Sequence, residues 1–221
     1  MIPRLASIDT WIFDLDNTLY PASADLFAQV DRRMTDYVAR TLDLDREAAF
    51  RAQKAWFLDH GTTLSGLMAE HRVDPHDFLA YVHDIEFDVL SHDALLGERI
   101  AALPGRKLVF TNGDAPYATK VLARLGLDGH FEGVHDIHAM GLMPKPHASA
   151  YRGLCNAFGI DPARSLFVDD MARNLAPAKA IGMTTVWVDN GSEQGAAAAR
   201  DVADFTITEL ADWLGFILED Q

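Results

Sequence analysis

The chain has 221 residues, 49% of them hydrophobic and 24% charged, enough to bury a sizeable core in one large domain or in a core with a smaller insert. Its 19 Lys and Arg against 33 Asp and Glu give a formal net charge of −14, which argues against a nucleic-acid polymer as partner, because phosphate-backbone binding needs clustered cations. No apolar run approaches the roughly 20 residues of a membrane helix, so no membrane partner is expected.

Asp9 and Asp14 interrupt any signal-like run in the opening stretch, which predicts no export signal and a cytoplasmic location. Short apolar runs rich in branched and aromatic residues predict strands at Thr10–Phe13, Lys107–Phe110, Ser165–Val168 and Thr184–Val188, with a weaker one near Val134–Ile137. From Tyr20 to about Gly97 the pattern is helical throughout. Leu26, Val30, Met34, Tyr37 and Val38 form one stripe there. Further helical segments follow at Ala48–Leu58, Leu64–His71, Pro75–Val82 and Asp93–Leu103. Later helices are predicted at Tyr117–Leu125, Ala148–Phe158 and Leu175–Ile181, with Gly126, Gly159 and Gly182 as C-caps. Cys155, the one cysteine, falls on the second of these as a packed thiol; alone it can form neither an intrachain disulfide nor a thiolate zinc cluster. The Ala-rich stretch Gly195–Ala199 reads as a surface helix or loop. Alternating strands and helices imply a mostly parallel α/β sheet covered on both faces, with a helical insertion after its first strand.

Ligands of such sheets bind beyond the carboxyl ends of the strands. Three predicted strands end there in polar clusters: Asp14-Leu15-Asp16-Asn17-Thr18, Thr111-Asn112-Gly113-Asp114, and Asp169-Asp170 followed by Asn174. A fourth element, Pro144-Lys145-Pro146, precedes a helix. Singly, each has a plain reading. Asp14 and Asp16 could be turn formers, Thr111 or Asp169-Asp170 a helix cap, Lys145 a solvated loop charge, and Asn174 an exposed helical residue. Their joint occurrence at one sheet edge points instead to a site, because gathered carboxylates repel one another unless a cation sits between them. Hard oxygen ligands favour Mg²⁺.

This order of motifs resembles the haloacid dehalogenase-like superfamily over nearly the whole chain. Within it, DLDNTLYP with PKP and DDxxxN is similar to the pyrimidine 5′-nucleotidase-like branch, which carries a helical cap after the first motif. The resemblance implies a Rossmann-like core formed by residues 1–19 and 97–221, with a cap at 20–96. It implies a Mg²⁺-dependent phosphomonoester hydrolase for a small phosphorylated metabolite, monomeric or a small homo-oligomer. Asp14 would be the nucleophile and Asp16 the general acid and base, its carbonyl also ligating Mg²⁺. Thr111 and the Asn112 backbone would hold phosphoryl oxygens, and Lys145 would supply positive charge. Asp170 would be the main acidic metal ligand alongside Asp14, Asp169 a direct or outer ligand, and Asn174 a support. Met171 departs from the pattern, standing where related sequences often have a small or hydroxylated residue.

The branch likeness implies a pyrimidine nucleoside monophosphate as substrate; a phosphatase for a sugar phosphate or phosphoglycolate, a phosphomutase, a dehalogenase and a binding or regulatory module on the same fold are the alternatives. Dehalogenation needs neither Mg²⁺ nor an acid for an alkoxide, so Asp16 and the acid pair argue against it. The segment His60-Gly61-Thr62-Thr63 resembles a glycine-containing cap loop of the nucleotidase-like branch, which makes His60, Thr62 and Thr63 candidate substrate contacts. A plain turn with Thr62 or Thr63 as N-cap competes with that reading. Trp56 and Phe57 are expected in the cap core. His76, His83, His135 and His138 are expected in surface or packing roles.

Overall fold

The apolar runs that end in polar motifs lie side by side. The computed structural model describes residues 5–191 and 201–219. Its strands are β1 (Thr10–Phe13), β2 (Arg106–Phe110), β3 (Gly133–His135), β4 (Ser165–Asp169), β5 (Thr184–Val188) and β6 (Phe205–Ile207). They form one sheet in the order β3-β2-β1-β4-β5-β6, and every pairing is parallel. All residues of β1, β4 and β5 are buried, as strands covered on both faces must be. Phe13 stands opposite both Val109 and Val168, so β1, β2 and β4 finish level. The chain moves from β1 outward to β3 on one side and then returns to β4 on the other. That reversal opens a crevice at the carboxyl end of β1.

Between β1 and β2 come α1 (Leu26–Leu42), α2 (Arg46–His60), α3 (Thr63–His71) and α4 (Pro75–Val82). They pack on one another: α1 against α2 and α4, and α3 against α2. Leu26, Val30, Tyr37 and Val38 of the predicted stripe are buried. Asp45, Thr62 and Asp74 cap the starts of α2, α3 and α4 with their side chains. Then follow α5 (Ala94–Ala102), which packs against the terminal α9 (Leu210–Glu219), and the sheet-covering helices α6 (Ala115–Leu125), α7 (Ala148–Phe158) and α8 (Ala172–Ala180). Gly126 and Gly159 take the left-handed conformation at the ends of α6 and α7. Among the described residues no helix is long and apolar enough to cross a membrane.

Three details differ from the sequence expectation. The weak strand lies at Gly133–His135 rather than Val134–Ile137, because at Ile137 the chain has already turned and its N–H donates to the Gly113 carbonyl at 3.1 Å. The helix expected from Leu175 begins at Ala172, since the chain turns directly after the acid pair and the Asn174 N–H donates to the carbonyl of the N-cap residue Met171 at 2.8 Å. The edge strand β6 and helix α9 were not anticipated. The stretch Gly195–Ala199 lies outside the described residues.

Helices α2 and α3 meet at Gly66, where an added Cβ would lie 2.1 Å from the Trp56 ring. Trp56 is 6% exposed and edge-on to His71, in the packed role expected of it. Alanine would favour the helical backbone by roughly 1 kcal/mol. Forcing the rigid indole aside costs about 1–3 kcal/mol, so the clash outweighs the propensity. Gly66→Ala should therefore lower the melting temperature measured by circular dichroism. A melting temperature at or above that of the parent chain would refute this packing.

Candidate active site

The site starts where β1 ends. The Asp14 N–H donates to the Val168 carbonyl at 2.9 Å, extending the sheet contact one residue past the strand. Asp14 and Asp16, two residues apart, both reach one cavity, which the twofold alternation of extended chain permits. Asp14, Lys145, Asp169 and Asp170 are all buried.

Lys145 joins the elements. Its Nζ donates to Asp14 Oδ1 at 2.7 Å, to Asp169 Oδ2 at 2.8 Å and to the Phe110 carbonyl at 2.7 Å. These contacts use all three ammonium donors. Its Nζ lies over the rings of Phe110 and Phe167, whose centroids are 5.0 and 5.2 Å away. Asn112 fixes that loop: Oδ1 accepts from the Lys145 N–H at 2.8 Å, and Nδ2 donates to the Lys145 carbonyl at 3.1 Å. Burial acts to lower the Lys145 pKa, but the charges of Asp14 and Asp169 overcome it and hold the ammonium above its ordinary value.

Asp169 is ringed by donors. Besides Lys145, it accepts from the Met171 N–H at 2.8 Å and from Asn174 Nδ2, 3.0 Å from each oxygen. Met171, the N-cap of α8, makes no side-chain capping hydrogen bond. The Asp170 carbonyl accepts from Trp187 Nε1 at 2.7 Å, which anchors the strand end. Carboxylate oxygens of Asp14, Asp169 and Asp170 lie within 4.8 Å of one another, the one such group of His, Cys, Asp and Glu among the described residues. Burial, with help from Asp169 and Asp16 and against Lys145, pushes the Asp14 carboxyl up to about 7. Asn174 Oδ1 is buried beside this group with no hydrogen-bond partner. Clustered carboxylates with a spare buried carbonyl form an all-oxygen donor set, which fits a hard divalent cation such as Mg²⁺.

Asp16 is held apart from that group. Its Oδ1 accepts from Tyr20 Oη at 2.5 Å and from Tyr117 Oη at 2.6 Å. Burial raises the Asp16 pKa against the pull of these bonds. Burial and the Asp16 charge hold both tyrosines well above their ordinary value, so they remain donors. Behind Tyr117, the His83 ring is stacked at 4.2 Å and lies 3.1 Å from Asp114, the N-cap of α6. His83 has the packing role expected of it.

A cavity of about 380 Å³ opens above these groups. Asp14, Asp16, Asn112, Lys145, Asp170 and Asn174 line it from the sheet side, and Thr62 and Thr63 from the insertion. Thr111 is buried, and its Oγ1 accepts from the Gly113 N–H at 3.0 Å. His60 is not brought to the cavity: exposed, it lies 3.2 Å from Glu70. Thr62 caps α3, accepting from the Ser65 N–H at 3.1 Å, so the plain-turn reading of this loop holds as well. Phe57 differs from expectation, because it lines the cavity instead of filling a core. Arg173 covers its ring at 3.7 Å and donates to the carbonyls of Phe57 and Gly61 at 3.0 and 2.8 Å. Sequence reasoning passed over Tyr20, Tyr117 and Arg173. Tyr20 carried a signal, standing four residues after Asp16 in the first motif.

Removing the Lys145 charge would leave Asp14 and Asp169 buried without their shared donor. Lys145→Met should cost about 3–5 kcal/mol in urea unfolding with EDTA present. Adding Asp169→Asn should restore part of that loss. Strictly additive losses in the double variant would rule out the coupling.

A family model described as haloacid dehalogenase-like hydrolase matches residues 8–182. Phosphate metabolism protein 8 of Saccharomyces cerevisiae is 25% identical over 203 residues, covering 82% of this chain. The match spans 63% of the yeast protein, less than two thirds of its length. Phosphoglycolate phosphatase of Pectobacterium atrosepticum is 26% identical over 231 residues, covering 97% of this chain and 94% of its own. Among solved structures, a HAD phosphatase from Thermococcus onnurineus superposes with a TM-score of 0.63 at 17% identity, covering 95% of this chain and 98% of the other. L-2-haloacid dehalogenase from Xanthobacter autotrophicus gives a TM-score of 0.57 at 18% identity with the same coverage. With the family model spanning most of its length, the chain belongs to the haloacid dehalogenase-like hydrolases.

Proposed function

We propose that this chain is a Mg²⁺-dependent phosphomonoesterase acting on a small phosphorylated metabolite through an aspartyl-phosphate on Asp14. One observation carries the reading: Lys145 binds Asp14 and Asp169 together, while Asp16 stands in a separate tyrosine-held setting. Two nearby carboxyls in different surroundings divide nucleophile from acid. Dehalogenation has no use for the second group. The phosphatase name of the Pectobacterium relative supports the same choice.

Asp14 attacks phosphorus as the bond to the alcohol oxygen breaks, and Asp16 gives its proton to the departing oxygen. Water then attacks the aspartyl-phosphate while Asp16 takes the water proton back, which releases phosphate and restores Asp14. Lys145 offsets the charge of the incoming phosphate, and Thr111 with the Asn112 backbone holds its oxygens. Asp14, Asp170 and the Asp16 carbonyl would hold Mg²⁺, which supplies further positive charge at the phosphoryl oxygens. Asp169, already ringed by donors, orients this group from behind, and Asn174 orients Asp169. Residues 20–96 act as a cap whose closure excludes water. The finer reading is a pyrimidine nucleoside monophosphate such as UMP or CMP. The likeness of DLDNTLYP to that branch supports it, with Thr62 and Thr63 as the cap residues at the cavity wall.

Release of phosphate from p-nitrophenyl phosphate, stimulated by Mg²⁺ and abolished by EDTA, is the direct test. Asp14→Asn should abolish turnover without loss of fold, and retained activity would remove Asp14 from the mechanism. Asp16→Asn should suffer less on p-nitrophenyl phosphate than on an alkyl phosphate, because p-nitrophenolate leaves without a proton. Equal loss on both substrates contradicts the acid role. Asp170→Ala should weaken the Mg²⁺ requirement curve more than Asp169→Ala does. An unchanged Mg²⁺ titration in Asp170→Ala would sink that ligand assignment.

A further inference from the structure

The helices of the insertion present an apolar face to the reacting groups. Phe27, Val30 and Met34 follow one another at helical spacing along α1, and all three line the cavity. Phe57 of α2, Leu64 of α3 and Phe78 of α4 complete the wall. Phe27, Met34 and Phe57 are only half-buried although they are large and apolar. Cavity lining accounts for the surface they leave uncovered.

Gln53, Asp31, Thr62, His83 and Arg173 on the same wall make hydrogen bonds inside the protein. Gln53 Oε1 accepts from Thr35, and its Nε2 donates to Asp31 Oδ1 at 2.7 Å. Asp31 Oδ1 also accepts from Lys54 Nζ at 3.1 Å. Thr62 caps α3, His83 faces Asp114, and Arg173 holds the carbonyls of Phe57 and Gly61. A polyhydroxylated leaving group entering this space would give up water for few partners on this largely apolar wall, at roughly tenfold or more in affinity for each hydroxyl left stranded. An aromatic or branched aliphatic body would instead bury its surface against Phe27, Met34 and Phe57.

Resting on the phosphomonoesterase reading, we infer that the substrate is a phosphate ester of an alcohol with an aromatic or branched aliphatic body and few hydroxyls. Sugar phosphates and phosphoglycolate fall outside this class. A nucleoside monophosphate enters it through the stacking face of its base.

The test compares kcat/KM with Mg²⁺ for benzyl phosphate and 2-phenylethyl phosphate against ribose 5-phosphate, glucose 6-phosphate and phosphoglycolate. Methyl phosphate serves as a small ester that reports the core chemistry. The aromatic esters should lead by on the order of a hundredfold. Met34→Gln should shrink that lead by about tenfold. An unchanged melting temperature in Met34→Gln separates lost selectivity from lost fold, and Phe27→Ser repeats the test if Met34→Gln does not fold. Sugar phosphates turned over as well as the aromatic esters, or a lead unmoved in the folded variant, would overturn the inference.

Binding of two non-hydrolysable phosphonates by calorimetry keeps the two readings apart. Benzylphosphonate should bind at least about tenfold more tightly than 2-hydroxyethylphosphonate. If it does and no ester is hydrolysed, the phosphatase reading fails while the apolar character of the cavity stands. If the two bind alike and methyl phosphate is hydrolysed, the phosphatase reading stands and the apolar substrate class is overturned.

Discussion

Everything at the carboxyl edge of the sheet depends on one buried ammonium. Lys145 Nζ is bonded to the end of β2 through Phe110, to the residue after β1 through Asp14, and to the end of β4 through Asp169. A buried lysine is costly unless each donor finds an acceptor, and here each does. The same contacts make two buried carboxylates tolerable. The parallel sheet makes the arrangement possible, because only level strand ends bring Phe110, Asp14 and Asp169 within reach of a single side chain.

Asp16 shows how two residues of separation become a division of chemical labour. Asp14 shares a cation with Asp169, whereas Asp16 has one oxygen fixed by two phenols and lies outside the clustered carboxylates. Burial raises both groups, but different partners oppose it: an ammonium for Asp14 and neutral hydroxyls for Asp16. A charge resists protonation more strongly than a neutral donor does. The two carboxyls are therefore raised by the same cause and opposed by different neighbours, which sets them in distinct surroundings two residues apart.

The strands and the acidic edge were legible because both signals are local. Apolar runs such as Trp11-Ile12-Phe13 and Leu166-Phe167-Val168 end directly in the residues that meet. What escaped depends on partners distant in sequence. Tyr117 reaches Asp16 across 101 positions, and Arg173 reaches Gly61 across 112, which no window on one segment reveals. His60 was misleading for a related reason: a polar residue in a loop reads the same whether it faces a cavity or, as here, Glu70. Strand β6 is only three residues long and sits at the sheet edge, too short for periodicity to register. Helix α9 was within reach, since Leu210, Leu214 and Ile217 keep the spacing of one buried face.

Besides the side-chain contacts of His83 with Asp114 and Tyr117, the insertion meets the core through backbone acceptors. Arg173 stands one residue before Asn174, which orients Asp169, and its guanidinium grips carbonyls at the end of α2 and in the following turn. Those carbonyls are acceptors that a helix end leaves unsatisfied and that carry its partial negative charge. Backbone acceptors persist whatever side chains the helices carry, so this contact places no demand on the apolar residues that face the cavity. The chemistry of the cavity wall can vary while the hold on α2 stays the same. In the proposed function, reaction and selectivity are thus assigned to separate parts of one chain, the sheet edge to the first and the helical face to the second.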